Sequence, residues 1–172
     1  MLKLKFFSKL HSRKGQSIVE ISLIAPLLLV ALYIPADFGI AMFTAHLTQN
    51  AVREAARIAV STKDPFNGAA ATQTANEALN RLPARLTSAT VTVTYYDGPA
   101  TVPPVPPCMQ SVLVTAQGNY NYFFYQILRM LGATVPNSVP ITRSSKMRYE
   151  FQPVTNSLPE CASNSIPATT LP

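Results

Sequence analysis

The sequence predicts an α+β fold: a long N-terminal helix with a membrane-spanning half and a soluble half, a second helix, and a small antiparallel sheet of about three strands with a short aromatic-rich helix. Three observations carry this. Residues 21–36 hold no charge and are mostly apolar; small apolar residues then recur every three to four positions as far as Val60; and the second half contains β-branched stretches separated by proline-rich segments.

Composition agrees with one membrane segment and one small domain in 172 residues. Charged residues are 13% of the chain, about half the usual share in soluble domains. The net charge of +6 is concentrated at the start: Lys3, Lys5, Lys9, Arg13 and Lys14 precede any acid, and nine basic against eight acidic residues remain after Gly15. That distribution is a topology signal, with the N-terminus cytoplasmic and the rest outside. No aromatic or base-reading module accompanies it, so no nucleic-acid partner is expected.

Taken in order, residues 1–15 are too short to fold or span. Ile18 to about Ile40 is the membrane candidate, about 23 residues or ~34 Å of helix, enough for a hydrocarbon core of ~30 Å. Pro26 and Pro35 interrupt it, and each removes a backbone donor. Ser22, four residues before Pro26, is placed to satisfy the freed carbonyl. The two prolines read either as kinks in a plain anchor or as soft points where the helix bends during assembly. Asp37 is expected at the membrane interface, where a carboxylate is cheap. Glu20, inside the apolar run, costs up to ~3 kcal/mol unless it pairs or stays shallow.

Past the membrane, Leu47, Ala51, Ala55, Ile58 and Ala59 form a narrow face, and Gln49, Asn50, Arg53, Glu54 and Arg57 lie off it. So much alanine predicts close packing on a sheet or partner helix. Asp64-Pro65 starts the second helix, with Ala71, Ala75, Ala78, Leu79 and Leu82 on one face and Pro83 as the stop. Ala89–Tyr96 alternates and is β-branched, which predicts a strand. Residues 99–107 contain five prolines and read as an extended loop. Gln110–Tyr120 is a second strand. Tyr122–Leu131 is an aromatic segment ending at Gly132, read as a short helix capping the sheet. Val139–Phe151 is a third strand. The tail from Gln152 is expected to be non-regular, tied down by Cys161.

Cys108 and Cys161 both follow the membrane segment. An even pair outside the cytoplasm favours a disulfide closing a loop of about 54 residues, worth roughly 4 kcal/mol; two buried or loop thiols are the alternative. The chain offers no catalytic set: His11 and His46 are its only histidines, and no nucleophile-elbow, zinc-protease, phosphate-loop or dinucleotide motif occurs. Neither an enzyme nor a cofactor or metal is expected.

Chemistry done to the chain remains. One reading is a secretory signal cut after Gly39-Ile40-Ala41. The other is cleavage after Gly15, whose missing side chain lets a peptidase approach the backbone; the mature chain then begins at Gln16, with Glu20 as its fifth residue.

The basic leader, Gly15, Glu20 and the helix after them resemble a type IV prepilin. The longer stretch from Glu20 through Pro26, Asp37-Phe38-Gly39 and Asn50-Ala-Val-Arg53-Glu54-Ala-Ala-Arg57 is similar to TadE-like proteins of the tight-adherence (Flp) pilus system. Ser144-Ser145-Lys146-Met147-Arg148-Tyr149-Glu150 resembles the Ser-rich last strand of that family. Ile21 departs from it, standing where an aromatic usually follows the glutamate. The resemblance implies a pilin-like architecture and a minor pilin or pseudopilin cleaved by a prepilin peptidase after Gly15. It also implies other pilins and minor pilins, an inner-membrane assembly platform and membrane lipid as partners. The location implied is the bacterial inner membrane, single-pass, with a periplasmic domain and entry into an extracellular pilus as a further step. The alternative is an unprocessed single-pass scaffold subunit of an envelope secretion or pilus complex. The organisation expected is a leader at 1–15, a transmembrane helix at 16–43, an extracytoplasmic domain at 44–152 and a Pro-rich tail at 153–172. On this resemblance Glu20 pairs with the free α-amine of Gln16 on a neighbouring subunit and sets register; a shallow carboxylate at the cytoplasmic interface is the other reading.

Overall fold

The computed structural model describes residues 14–62, 68–96, 108–130, 132–150, 160–161 and 169–172. The leader up to Arg13, the Asp64-Pro65 helix start and the proline loop at 99–107 lie outside these. The elements are helix α1 (Lys14–Ser61), α2 (Gly68–Arg81), strands β1 (Leu86–Tyr96) and β2 (Ser111–Asn121), the short helix α3 (Tyr125–Met130), β3 (Ser138–Arg148) and β4 (Thr169–Leu171). This is the α+β architecture the sequence predicts. The chain divides into two compact units, residues 1–36 and 37–172.

In the first unit most α1 side chains from Ser17 onward are exposed, Ile18, Leu23, Leu27, Leu28 and Leu32 among them. By length and composition α1 can cross a membrane, and none of its most apolar window is buried. Both prolines lie inside the helix. Ser22 does not serve Pro26 as expected: its hydroxyl donates to the Val19 carbonyl at 2.8 Å, the nearer acceptor on the preceding turn.

In the second unit one face of α1 is buried: Asp37, Ala41, Thr44, Ala45, Thr48, Val52, Ala55, Ala56 and Ala59. The steps of three and four residues are those of one helical face. The expected stripe was partly wrong. Leu47 is exposed, while Thr44, Thr48 and Val52 are inside. Threonine is tolerated there because its hydroxyl finds an acceptor on its own helix: Thr44 donates to the Ile40 carbonyl at 2.9 Å and Thr48 to that of Thr44 at 2.8 Å.

Alanine sets the packing as expected. Ala55, Ala56 and Ala59 of α1 and Ala71, Ala75 and Ala78 of α2 share a core with Val91, Val93 and Tyr95 of β1 and Val112, Val114 and Ala116 of β2. A methyl-sized side chain lets the backbones approach closely.

The sheet order is β3-β2-β1-β4, with every neighbouring pair antiparallel. The sequence predicts about three strands. The fourth comes from the tail, which is not wholly irregular: Thr169–Thr170–Leu171 pairs with Val93–Thr92–Val91. Strand β1 starts earlier than its alternation suggests, because a register shift between Thr87 and Thr90 interrupts the period; Ser88 there has φ 50°. Gly118 is needed opposite: a Cβ on it would lie 2.6 Å from Leu86 Cγ. The aromatic segment is helical over a shorter range than expected and ends at Gly132 (φ 88°), whose amide donates to the Arg129 carbonyl at 2.9 Å, a left-handed helix stop.

Candidate functional site

Two features bear on function: the N-terminal part of α1, and the place where the domain grips the same helix one residue beyond the first unit.

Gly15 and Gln16 lie in the first turn of α1. Glu20 is exposed on the helix between Val19 and Ile21, which are exposed too. Pro26 and Pro35 follow on the same helix. The structure thus sets Gly15, Gln16, Glu20 and both prolines on one continuous element.

Asp37 is the residue whose surroundings sequence reasoning did not foresee. Expected at the membrane interface, it is fully buried within the domain. Its Oδ1 accepts hydrogen bonds from the Tyr120 hydroxyl at 3.0 Å and the Phe123 amide at 3.2 Å, and its Oδ2 accepts from the Phe124 amide at 2.9 Å. Strand β2 ends at Asn121 and the chain turns into α3, so two amides lack strand partners; the carboxylate supplies their acceptors. A buried carboxylate is stable only with such donors. The missed signal was its phase: Asp37, Ala41, Thr44 and Thr48 are spaced by four, three and four, so Asp37 opens the domain-facing stripe.

Burial pushes the Tyr120 hydroxyl up to about 12, with the Asp37 hydrogen bond and charge adding to it and Arg85 opposing. Burial also raises Tyr122. The rings around the junction pack edge and face: Tyr120 on Tyr122 at 5.7 Å, and Tyr122 on Tyr125 at 4.4 Å. Phe123 is the exception, 64% exposed.

At the other end of the sheet Cys108 and Cys161 form a disulfide, with Cα atoms 4.9 Å apart. Cys161 is buried and its amide donates to the Met109 carbonyl at 3.1 Å. Glu160 pairs with Lys146 and bridges Met109, so the tail is held by more than its cysteine.

Among the described residues no group of three His, Cys, Asp or Glu side chains is placed to hold a metal ion. An open groove of about 490 Å³ is lined by Leu47, Arg53, Glu54, Arg57, Arg81 and Met147, among others. The arrangement is that of a helix made to be held: an apolar arm at one end, an alanine seam at the other, and a buried carboxylate where the seam begins.

No curated protein and no solved structure matches the chain. The family model described as TadE-like protein matches residues 15–57. That stretch begins at Gly15 and contains Glu20, Pro26, Pro35 and Asp37, and over it the chain is similar to TadE-like proteins.

Proposed function

We propose that the chain is a minor pilin or pseudopilin of a tight-adherence-type pilus, cut after Gly15 by a prepilin peptidase and acting in pilus assembly for surface attachment. The observation that carries this reading is the extent of the TadE-like match, which starts at Gly15 and runs through the apolar segment into the domain helix. It takes in Gly15 and the N-terminal helix that a cut after Gly15 would leave, as far as residue 57, and omits the basic residues before Gly15. Gln16 then opens the mature helix, Glu20 is its fifth residue, and the α-amine of Gln16 on a neighbouring subunit is its partner in assembly. Pro26 and Pro35 give the helix places to bend as it leaves the bilayer for the pilus.

Before assembly the mature chain is single-pass in the bacterial inner membrane, with its domain in the periplasm. The Cys108–Cys161 bond supports an oxidising compartment for the domain. Its partners are the peptidase, other pilins, the inner-membrane assembly platform and lipid.

The test is intact mass of the full chain co-expressed with a prepilin peptidase. A mature chain starting at Gln16, lost in Gly15→Trp, is the expected result. A chain that keeps Met1 in pilus-forming cells would instead be the unprocessed scaffold subunit. A product starting after Ala41 would be a secreted domain. That last cut would also take Asp37 away from Tyr120, Phe123 and Phe124, which argues against it.

A further inference from the structure

The exposed apolar stretch of α1 from Ile18 to Ile34 is about 17 residues long, or ~26 Å of helix, and a bilayer core is ~30 Å. A few more residues complete the span, and they bring the boundary to Asp37 and Phe38. Asp37 is buried in the domain, but Phe38 is 58% exposed.

The hydrogen bonds from the Phe123 and Phe124 amides to Asp37 fasten the start of the aromatic segment within a side chain's length of that level. Phe123 is 64% exposed and Met130, at the end of α3, is 88% exposed. The Phe123 ring rests edge-on against Phe124 at 5.0 Å, while Tyr122 behind it is buried. A domain that has already buried its valines and alanines gains nothing in water from displaying these side chains. At a bilayer boundary they gain a nonpolar environment, and aromatic rings collect there.

We propose that Phe123, with Phe38, enters the headgroup–acyl boundary of the bilayer that α1 crosses, so that residues 122–130 make a shallow second membrane contact for the domain. The occupant is lipid, because chain connectivity alone brings Phe38 and the Asp37-bound amides to the bilayer surface. The inference rests on reading α1 as a membrane anchor. Asp37 acts as the clasp: it accepts the Phe123 and Phe124 amides and so keeps Phe123 at the level of the boundary.

The chain has no tryptophan, so each substitution below adds a single reporter to the full chain. Phe123→Trp, Phe38→Trp, Leu28→Trp and Ser61→Trp are reconstituted in phosphatidylcholine–phosphatidylglycerol vesicles whose lipids are brominated near the carbonyl end of the acyl chains. Ser61 is about 36 Å along α1 from Asp37 and serves as the distant control. The Phe123→Trp and Phe38→Trp reporters are expected to lose roughly half their emission, as for side chains about 5–10 Å into the boundary, with Ser61→Trp unchanged. Emission from Phe123→Trp and Phe38→Trp no more quenched than from Ser61→Trp, while Leu28→Trp is quenched, overturns the inference and leaves the anchor standing. An unquenched Leu28→Trp overturns both. Bromine-independent shielding of Phe123→Trp that grows with protein density assigns the ring to another protein copy and also overturns the inference.

Discussion

The Asp37 carboxylate and the Tyr120 hydroxyl, 83 positions apart in the chain, meet at 3.0 Å, and neither residue is appreciably exposed. With the amides of Phe123 and Phe124 completing the set, this is where the helix that leaves the apolar segment is tied to the turn after β2. The tie is a carboxylate on a face otherwise built mainly of alanine, valine and threonine, so it specifies which helical turn meets which loop.

Removing the acceptor is therefore costly. Asp37→Ala removes the acceptor of three hydrogen bonds and is expected to destabilise the domain by about 3 kcal/mol. Asp37→Asn keeps one carbonyl oxygen and should lose less. Chemical denaturation of the detergent-solubilised full chain, followed by tyrosine emission, measures both. Equal stability of Asp37→Ala and the parent would contradict the arrangement.

Alkaline pH gives a second handle. Burial raises both Tyr95 and Tyr120 to about 12 from 10.0. With the folded value raised, the unfolded tyrosine gives up its proton first. The stability tied to these protons is whole below pH 10, falls as pH rises above it, and is lost by about pH 12. Tyr95→Phe should flatten that decline by one proton's worth, read as a smaller slope of unfolding free energy against pH.

Gly118 makes a steric prediction. A Cβ there would sit 2.6 Å from Leu86 Cγ and 3.0 Å from Cδ2, and Leu86 is buried, so its branch point must move. Gly118→Ala should cost about 1–2 kcal/mol through overpacking. Thermal unfolding of Gly118→Ala against a distant exposed alanine substitution, Asn80→Ala, tests it.

The disulfide spans 53 positions, which corresponds to about 4 kcal/mol in the chain-entropy account. Cys108→Ser should lower stability by that order and remove the mobility difference between reduced and non-reduced gels. Reduction should also expose the tail first. Amide exchange at Thr169–Leu171 is expected to accelerate before exchange in β2, because β4 is short and at the sheet edge.

Much of the fold was legible because helix and strand periods are local properties of the backbone. The β-branched alternation from Ala89 to Tyr96, the alanine repeat from Ala51 to Ala59 and the glycine after the aromatic segment each declare an element from within it. For the candidate site, Gly15, Gln16, Glu20, Pro26 and Pro35 could be named from their order along one helix. Their roles remain proposals, because processing and assembly involve other molecules.

Three things were not legible. Ser22 bonds Val19 instead of bridging Pro26, a choice made by the geometry of one turn. The tail's last residues join β1 although proline spacing and polarity concealed them, since pairing at an edge needs only three residues with free partners. Asp37 was the largest miss. At the outer end of the membrane run a carboxylate is cheap at the interface, and nothing in its apolar neighbours announces that the domain buries it.

By itself, then, the sequence determined a long apolar helix, its continuation into an alanine seam, the strands and the cysteine pair, all written in local spacing and composition. Only the tertiary structure decided that the seam begins with a carboxylate, and that the turn after Asn121 delivers a hydroxyl and two amides to it. The fate of a charge depends on the donors that surround it, and those come from a segment more than 80 positions away.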